Sequence, residues 1–94
     1  MPDTEQNQEH KSYPVEFSEH FDIVLKKLKK KDFSLALRLL EAIKEICKNP
    51  EHYKPLRNIL KGKRRKHIGH FVLVFSFENG IVRMENFAHH DDVY

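Results

Sequence analysis

The stretch FVLVFSFENGIVRMENF, residues 71–87, decides the fold. Its first seven residues are rich in aromatic and β-branched side chains, which favours a strand buried on both faces. Asn79-Gly80 then suits a two-residue hairpin turn, because that turn needs a positive φ at both positions. The last seven residues alternate, which predicts a second strand with Ile81, Arg83, Glu85 and Phe87 on one face and Val82, Met84 and Asn86 on the other.

Two more strands are predicted on the N-terminal side of this hairpin. KHIGH, residues 66–70, is expected to form the outer partner of the strand that begins at Phe71, with Gly69 at a turn or bulge. YPVEF, residues 13–17, offers a short strand. Pro14 suits a sheet edge or a strand start, because proline cannot donate a ladder hydrogen bond.

The segment between these strands has the apolar period of two helices. Ser18 can cap the first helix, Asp32 or Ser34 can cap the second, and Asn49-Pro50 should end it. The two apolar faces comprise Phe17, Phe21, Val24, Leu25 and Leu28, and Ala36, Leu39, Leu40, Ile43, Ile46 and Cys47. The connection is short, so we expect an antiparallel helical hairpin.

The predicted element order is therefore β-α-α-β-β-β, an α+β fold. The helical hairpin must pack its apolar stripe on one face of a small, mainly antiparallel, twisted sheet. Residues 13–94 fit a single domain, because 94 residues leave little room for a second core. Residues 1–12 are polar and lack apolar periodicity, so we expect a disordered tail there.

The composition narrows the class of protein. Charged residues make up 33% of the chain and hydrophobic residues 39%, as in a soluble globular protein. Neither a membrane-spanning apolar run nor a signal-peptide core is evident, so we expect a cytoplasmic protein with no membrane contact. The lone cysteine, Cys47, excludes an internal disulfide and a Cys-rich zinc site, and its place on an apolar helix face predicts core packing.

The charge is distributed unevenly along the chain. No Asp or Glu occurs from His52 to Phe77, although that stretch contains Lys54, Arg57, Lys61, Lys63, Arg64, Arg65 and Lys66. A one-sided basic surface attracts a polyanion such as RNA. A solvated charged loop is the alternative, and the sequence pattern leaves both open.

The predicted hairpin also brings histidines together that are far apart in sequence. The open end of the hairpin has one strand beginning just after His67 and His70, and the other ending just before His89 and His90. We therefore expect these four imidazoles to approach one another at one edge of the sheet.

Two motifs are shared with a known group of proteins. They are Gly-x-Arg-x-x-His before a hydrophobic strand, and a late His three residues before a Leu or Val and an aromatic residue. The chain matches them at Gly62, Arg64, His67, His90, Val93 and Tyr94. It thereby resembles the RelE/ParE toxin superfamily, and most closely the YafQ-like branch of RelE messenger-RNA endonucleases. The lead-in from Asn49 to Gly62 and the element order also fit, so the resemblance covers residues 13–94.

The resemblance implies a toxin that cleaves messenger RNA in the ribosomal A site and that a cognate antitoxin holds inactive. One position departs from the pattern: the YafQ-like branch has an Asp shortly after the motif His, where this chain has His70, one residue closer. The ParE branch shares the fold without the histidines and poisons DNA gyrase. A non-enzymatic gyrase inhibitor, or an inactive ribosome- or RNA-binding member, is therefore the alternative.

RNA can be cleaved without a metal ion when its own 2′-OH attacks the neighbouring phosphate, which requires a base, an acid and cations. Histidine suits both proton roles, and arginine supplies fixed donors for phosphate oxygens. The predicted catalytic residues are His67, His70, His90 and Arg64, with the acid and base roles left open. The predicted RNA-binding residues are Lys61, Lys63, Arg65, Lys66 and Tyr94, the last by stacking on a base.

Each of these residues also has a plainer interpretation. The histidines suit an exposed edge strand, and Tyr94 suits a frayed end. His89 is expected to face away from His90, and Asp91 and Asp92 are expected to hold the tail or a histidine in place. His and Asp can also bind metal, but adjacent side chains in extended chain point apart and the basic surroundings repel a cation. We therefore expect no metal site and no cofactor.

Overall fold

The predicted hairpin forms the centre of the molecule. In the computed structural model, which describes residues 12–53 and 62–93, strands β3 (Phe71–Glu78) and β4 (Ile81–His89) pair in antiparallel fashion. Asn79 and Gly80 connect them with φ angles of 54° and 76°. A positive φ at both central positions is what the two-residue turn requires, so the prediction of this turn is confirmed.

The sheet has four strands in the order β1-β4-β3-β2. Strand β2 (Lys63–Ile68) is antiparallel to β3, whereas β1 (Val15–Phe17) is parallel to β4. The edge position predicted for β1 is confirmed. Strand β2 begins three residues earlier than predicted, and Gly69 lies in the turn after it with a φ of 62°.

Two consecutive helices follow β1, each begun by the side chain of a polar residue. Helix α1 (Glu19–Lys31) starts where the Phe21 N–H donates to Ser18 Oγ at 3.0 Å. Helix α2 (Phe33–Lys48) starts where the Leu35 N–H donates to Asp32 Oδ1 at 3.1 Å, so Asp32 is the cap. It ends at the residue before Asn49, as predicted, and a short 3-10 turn (Pro50–His52) follows.

One apolar core joins the helices to one face of the sheet, which confirms the predicted fold class. Its members are Phe21, Leu25, Leu35, Leu39, Ala42, Ile43, Ile46, Cys47, Ile68, Leu73, Phe75, Val82, Met84 and Phe87. Burying this much apolar surface is the main source of folding free energy in a small domain. Cys47 packs in the core as predicted, and burial raises the pKa of its thiol, which keeps the thiol protonated.

The predicted alternation of β4 is wrong after Met84. Phe75 pairs with Met84, whereas Val74 pairs with Asn86, so Glu85 is an extra residue without a partner on β3. Such a β-bulge exchanges the faces of every residue that follows it. Phe87 is consequently buried in the core with Met84 instead of sharing the face of Arg83.

The C-terminal segment also departs from the expectation of extended chain. Strand β4 ends at His89, and His90–Val93 forms a single helical turn, α3. The tail expected at residues 1–12 lies outside the described residues, apart from Ser12. No helix within the described parts of the chain is long and apolar enough to cross a membrane.

Replacement of the central aromatic residue should test this core. Phe75 is fully buried, and its ring meets the Tyr53 ring edge-on at 5.8 Å between centroids. We expect Phe75→Ala to lower the free energy of unfolding in urea by about 3–5 kcal/mol. The matched control is Phe33→Ala, because Phe33 is 61% exposed, and its effect should stay within about 0.5 kcal/mol. Equal losses in the two variants would contradict the assigned core.

Candidate functional site

Three histidines from two distant segments meet at the open end of the β3–β4 hairpin. His70 lies in the turn between β2 and β3, and the His90 N–H donates to its carbonyl oxygen at 3.0 Å. The His70 and His89 rings stack with centroids 6.2 Å apart and planes 16° apart. The His89 and His90 rings lie 5.4 Å apart. The structure therefore brings His70, His89 and His90 together.

The bulge decides the place of His89. Glu78 pairs with Ile81 across the turn, so a regular ladder would place Ala88 opposite Phe71. The extra residue shifts the ladder by one position, and His89 lies opposite Phe71 instead, with ring centroids 5.7 Å apart. His89 was expected to face away. Counting the strand register from the turn would have predicted the position of His89, but only if the bulge had been known.

His67 lies apart from this cluster on strand β2. It pairs with Val72 of β3, and Val72 pairs with Ala88 of β4, so the three side chains share one face of the sheet. Two strand spacings separate the backbones of His67 and Ala88, which is roughly 10 Å. His67 is exposed and lies across the sheet from the segment that carries His90. It is also on the opposite face from His89, which pairs with Phe71 on the face that packs against the helices.

The cations of β2 divide between the two faces of the sheet. Arg64 pairs with Phe75 on the helix-covered face, and its Nη1 donates to the Tyr53 carbonyl oxygen at 2.8 Å. Lys66 is on that face as well, with its Nζ 5.8 Å from the Tyr53 ring centroid. Arg65 alternates with them and shares the face of His67. The structure therefore does not place Arg64 and His67 on one surface.

Tyr53, which both Arg64 and Lys66 contact, is a half-buried residue packed against the core. Burial raises the pKa of its hydroxyl, and the negative charge of Glu45 raises it further. The hydroxyl consequently stays protonated at neutral pH, so the ring that Lys66 approaches is uncharged.

The face of the sheet opposite the helices, to which Lys63, Arg65 and His67 belong, is called the open face below, and an acidic side chain neutralises one end of it. Glu85 Oε2 accepts from Lys63 Nζ at 3.0 Å and from Ser76 Oγ at 3.3 Å, and it lies 3.5 Å from Arg83 Nε. Arg83 also donates to Glu16 Oε1 at 3.3 Å. Lys63 and Arg83 are thereby paired with carboxylates on this face.

A groove between α2 and β2 borders His67. It encloses about 430 Å³ and is lined by Leu37, Ala42 and Ile68, with Lys66 and His67 on the strand side. Arg38, Glu41 and Glu45 of α2 also line it. His67 thus borders this groove, although it is on the face of the sheet opposite the helices.

Asp91 lies between the two C-terminal imidazoles. Its Oδ1 is 3.2 Å from His90 Nε2, and its Oδ2 is 3.6 Å from His89 Nδ1. The Asp91 N–H also donates to His89 Nδ1 at 3.4 Å. These contacts agree with the expectation that a tail aspartate holds a histidine in place. The two predicted RNA-binding residues Lys61 and Tyr94 lie outside the described residues.

The comparisons with known proteins agree with one another. The family of the ParE toxin of type II toxin–antitoxin systems, parDE, matches residues 15–94. The chain is 40% identical over 85 residues to the candidate toxin RelE4 of Methanocaldococcus jannaschii. The aligned region covers 87% of this chain and 90% of that protein.

Two solved structures share the fold at low sequence identity. The toxin–antitoxin complex RelBE2 from Mycobacterium tuberculosis gives a TM-score of 0.70 at 23% identity, covering 84% of this chain and 99% of that chain. YafQ from E. coli strain BL21(DE3) gives 0.65 at 20% identity, covering 87% of this chain and 98% of that chain. At these identities the likeness concerns the fold alone, and it agrees with the RelE-like architecture predicted from the sequence.

Glu85→Gln should strengthen the binding of a polyanion. The variant releases Lys63 and Arg83 from their shared carboxylate, so a labelled single-stranded RNA should bind more tightly and with a steeper dependence on salt. Fluorescence anisotropy at several salt concentrations measures both effects. Asp22→Asn is the matched control, because it removes the same charge from an exposed pair with Lys26 on α1. Equal gains in both variants would show that net charge alone decides the binding.

Proposed function

The chain belongs to the ParE toxin family of type II toxin–antitoxin systems, within the RelE/ParE superfamily, and on this basis we propose that it is a ribosome-dependent endoribonuclease that cleaves messenger RNA without a metal ion. As a member of this family it is the toxin of a toxin–antitoxin pair. The fold is shared with a protein solved as a toxin–antitoxin complex, which supports a cognate antitoxin as its partner.

The observation that carries the proposal is that His70, His89 and His90 converge at the end of the hairpin, across the sheet from His67 on the cationic strand β2. A hydrogen bond from the His90 N–H to the His70 carbonyl joins the C-terminal segment to the turn after β2. Histidines are the side chains best suited to move protons near neutral pH. Their presence at the end of a strand that contains four consecutive cations, Lys63 to Lys66, supports chemistry on a phosphodiester.

The reaction we propose is an internal transesterification. A base removes the proton of the ribose 2′-OH, the 2′-oxygen forms a bond to phosphorus, and the bond from phosphorus to the 5′-oxygen breaks. An acid then donates a proton to the leaving 5′-oxygen. The products are a 2′,3′-cyclic phosphate and a 5′-hydroxyl, and all atoms and electrons balance without an added reactant.

His67 and His90 are the proposed proton-transfer pair. His67 lies on the open face of β2, and His90 begins the turn after β4 on the opposite side of the hairpin. The backbones of His67 and of Ala88, two residues before His90, lie roughly 10 Å apart, and we propose that a nucleotide binds between these two segments. His70, which is hydrogen-bonded through its backbone to His90, is proposed to border the same phosphate.

The phosphate contact on this face is proposed to come from Arg65. Arg65 shares the face of His67, whereas the Arg64 guanidinium donates to the Tyr53 carbonyl on the other side. Arginine stabilises the charge that develops on the phosphorane oxygens. Arg64 stays a predicted catalytic residue, but its present contact favours a role in positioning the segment at Tyr53. Lys61, Lys63 and Lys66 are proposed as further phosphate contacts, and Tyr94 as a stacking platform.

A second candidate function is non-enzymatic binding to DNA gyrase or to the ribosome. Two observations favour it: the matching family is that of ParE toxins, and His70 stands where the YafQ-like branch has a carboxylate. A toxin of this type would arrest growth while messenger RNA stays intact.

Loss of the proton-transfer pair should abolish cleavage. Ribosomes programmed with a defined messenger RNA should yield fragments with 2′,3′-cyclic phosphate ends when the wild-type protein is added. The double variant His67→Ala/His90→Ala should cleave at least about 10²-fold more slowly, because each lost acid or base contributes on that scale. His52→Ala is the control, since His52 is an exposed histidine on the 3-10 turn.

Undiminished cleavage by the double variant would contradict the assignment. Intact messenger RNA together with inhibited DNA supercoiling, measured with purified gyrase in parallel, would favour the second candidate function.

Substitutions of Arg64 and Arg65 should differ in their effects on the cleavage rate and on stability. We expect Arg65→Gln to slow cleavage by about 10²-fold, as for loss of a transition-state contact. Arg64→Gln should have the smaller effect on cleavage but should lower the free energy of unfolding by about 1 kcal/mol, because it removes the hydrogen bond to Tyr53. If Arg64→Gln slowed cleavage more than Arg65→Gln, Arg64 would be the residue that contacts the phosphate.

A further inference from the structure

Three consecutive residues at the junction of β4 and α3 have converging metal-ligand atoms. The nitrogens of His89 and His90 and a carboxylate oxygen of Asp91 all lie within 4.8 Å of one another. Consecutive side chains in an extended strand would point to alternate sides. The strand ends at His89, however, and the helical turn that begins at His90 brings one ligand atom of each residue within that distance.

The spacing of these atoms suits a single ion. Zinc holds nitrogen and oxygen ligands at about 2.0–2.1 Å, so two ligands of a tetrahedral site are roughly 3.3 Å apart. Asp91 Oδ1 lies 3.2 Å from His90 Nε2, and Asp91 Oδ2 lies 3.6 Å from His89 Nδ1. A bound ion would replace the 3.4 Å contact that His89 Nδ1 accepts from the Asp91 N–H. The side chains are 42% exposed at His89 and 50% exposed at His90, so small rotations are open to them.

The backbone and two ring contacts hold the imidazoles near this point. The His89 ring is stacked on His70 and packed edge-on against Phe71, which restricts its rotation. His90 is held through its N–H to the carbonyl of His70. The ring contacts of His89 reduce the ordering that this ligand must undergo on binding, and the backbone bond of His90 fixes the position of its main chain.

The donor set also limits the class of metal. Two imidazole nitrogens and one carboxylate suit Zn²⁺, Ni²⁺ and Co²⁺, whereas Mg²⁺ and Ca²⁺ prefer oxygen ligands alone. Asp91 and the neighbouring Asp92 place two negative charges beside the site, which offset the basic strand β2. Three protein ligands leave a position for water or for the adjacent His70.

We propose that His89, His90 and Asp91 bind a divalent transition-metal ion of the zinc and nickel class, and that the bound ion inhibits RNA cleavage. The proposed inhibition rests on the proposed function. A ring nitrogen of His90 that binds the metal can no longer accept or donate a proton during cleavage. Metal binding itself does not depend on the activity.

Metal binding is tested first, without reference to cleavage. The full chain, free of any histidine tag, is titrated with Zn²⁺ by calorimetry and with Co²⁺ by visible absorption. We expect one ion per chain, and at least about tenfold weaker binding in His89→Ala and in Asp91→Asn. Asp92→Asn is the matched control for charge, and His52→Ala is the matched control for an exposed imidazole. Binding that is absent, or that falls equally in Asp91→Asn and Asp92→Asn, would overturn the site.

Inhibition is tested as a ratio of cleavage rates with and without Zn²⁺ in each variant. The wild type and Asp92→Asn should be slowed and then restored by a chelator, whereas Asp91→Asn should respond at least about tenfold less. Metal binding without any change of the wild-type rate would overturn the proposed inhibition. If the protein cleaves no RNA at all, the proposed function fails, and the calorimetric titration still decides the metal site.

Discussion

The arrangement of the molecule depends on one extra residue in strand β4. Glu85 has no partner on β3, and the pairing beyond it shifts by one position. This shift turns Phe87 towards the helices and places His89 opposite Phe71. A ladder without the extra residue would leave a large aromatic side chain on the open face and would pair Ala88 with Phe71. The apolar core and the histidine cluster therefore depend on the same irregularity of the backbone.

The start of helix α1 fixes this bulge. Ser18 donates through its N–H to the Met84 carbonyl and through its Oγ to the Glu85 carbonyl, while the same Oγ accepts from the Phe21 N–H. One serine thus begins the helix and satisfies backbone groups where the ladder is interrupted. The carboxylate of Glu85 contacts Lys63 from the neighbouring part of the sheet. Helix, bulge and cationic strand are consequently joined through two residues, and the position of the histidines follows from their geometry.

The sequence predicted those elements whose conformation is decided by nearby chemistry. Asn79-Gly80 specifies its turn, and Ser18 specifies a helix start, because each needs only its own side chain and a few neighbours. The bulge was missed, because a glutamate fits an exposed position of a regular strand equally well. Its effect spreads along the chain, since a shift of one residue inverts the faces of all that follow.

The candidate site was predictable in outline for the same reason. The tight turn implied that His67 and His70 would both meet the C-terminal histidines. The structure brings His70 to them but leaves His67 across the sheet. The motif placed Arg64 beside His67, but three positions along a strand put the two side chains on opposite faces. The helical turn at His90, which orients Asp91, has no clear local signal, since it depends on contacts with the turn after β2.

The position of β2 at the end of the strand order has a consequence for how copies of the protein meet. An outermost strand presents backbone groups that readily pair with a strand of another molecule, which leads to aggregation. Here that strand contains Lys63, Arg64, Arg65 and Lys66 in succession. Two such strands repel each other when aligned, so these charges oppose pairing between copies of the protein along this strand.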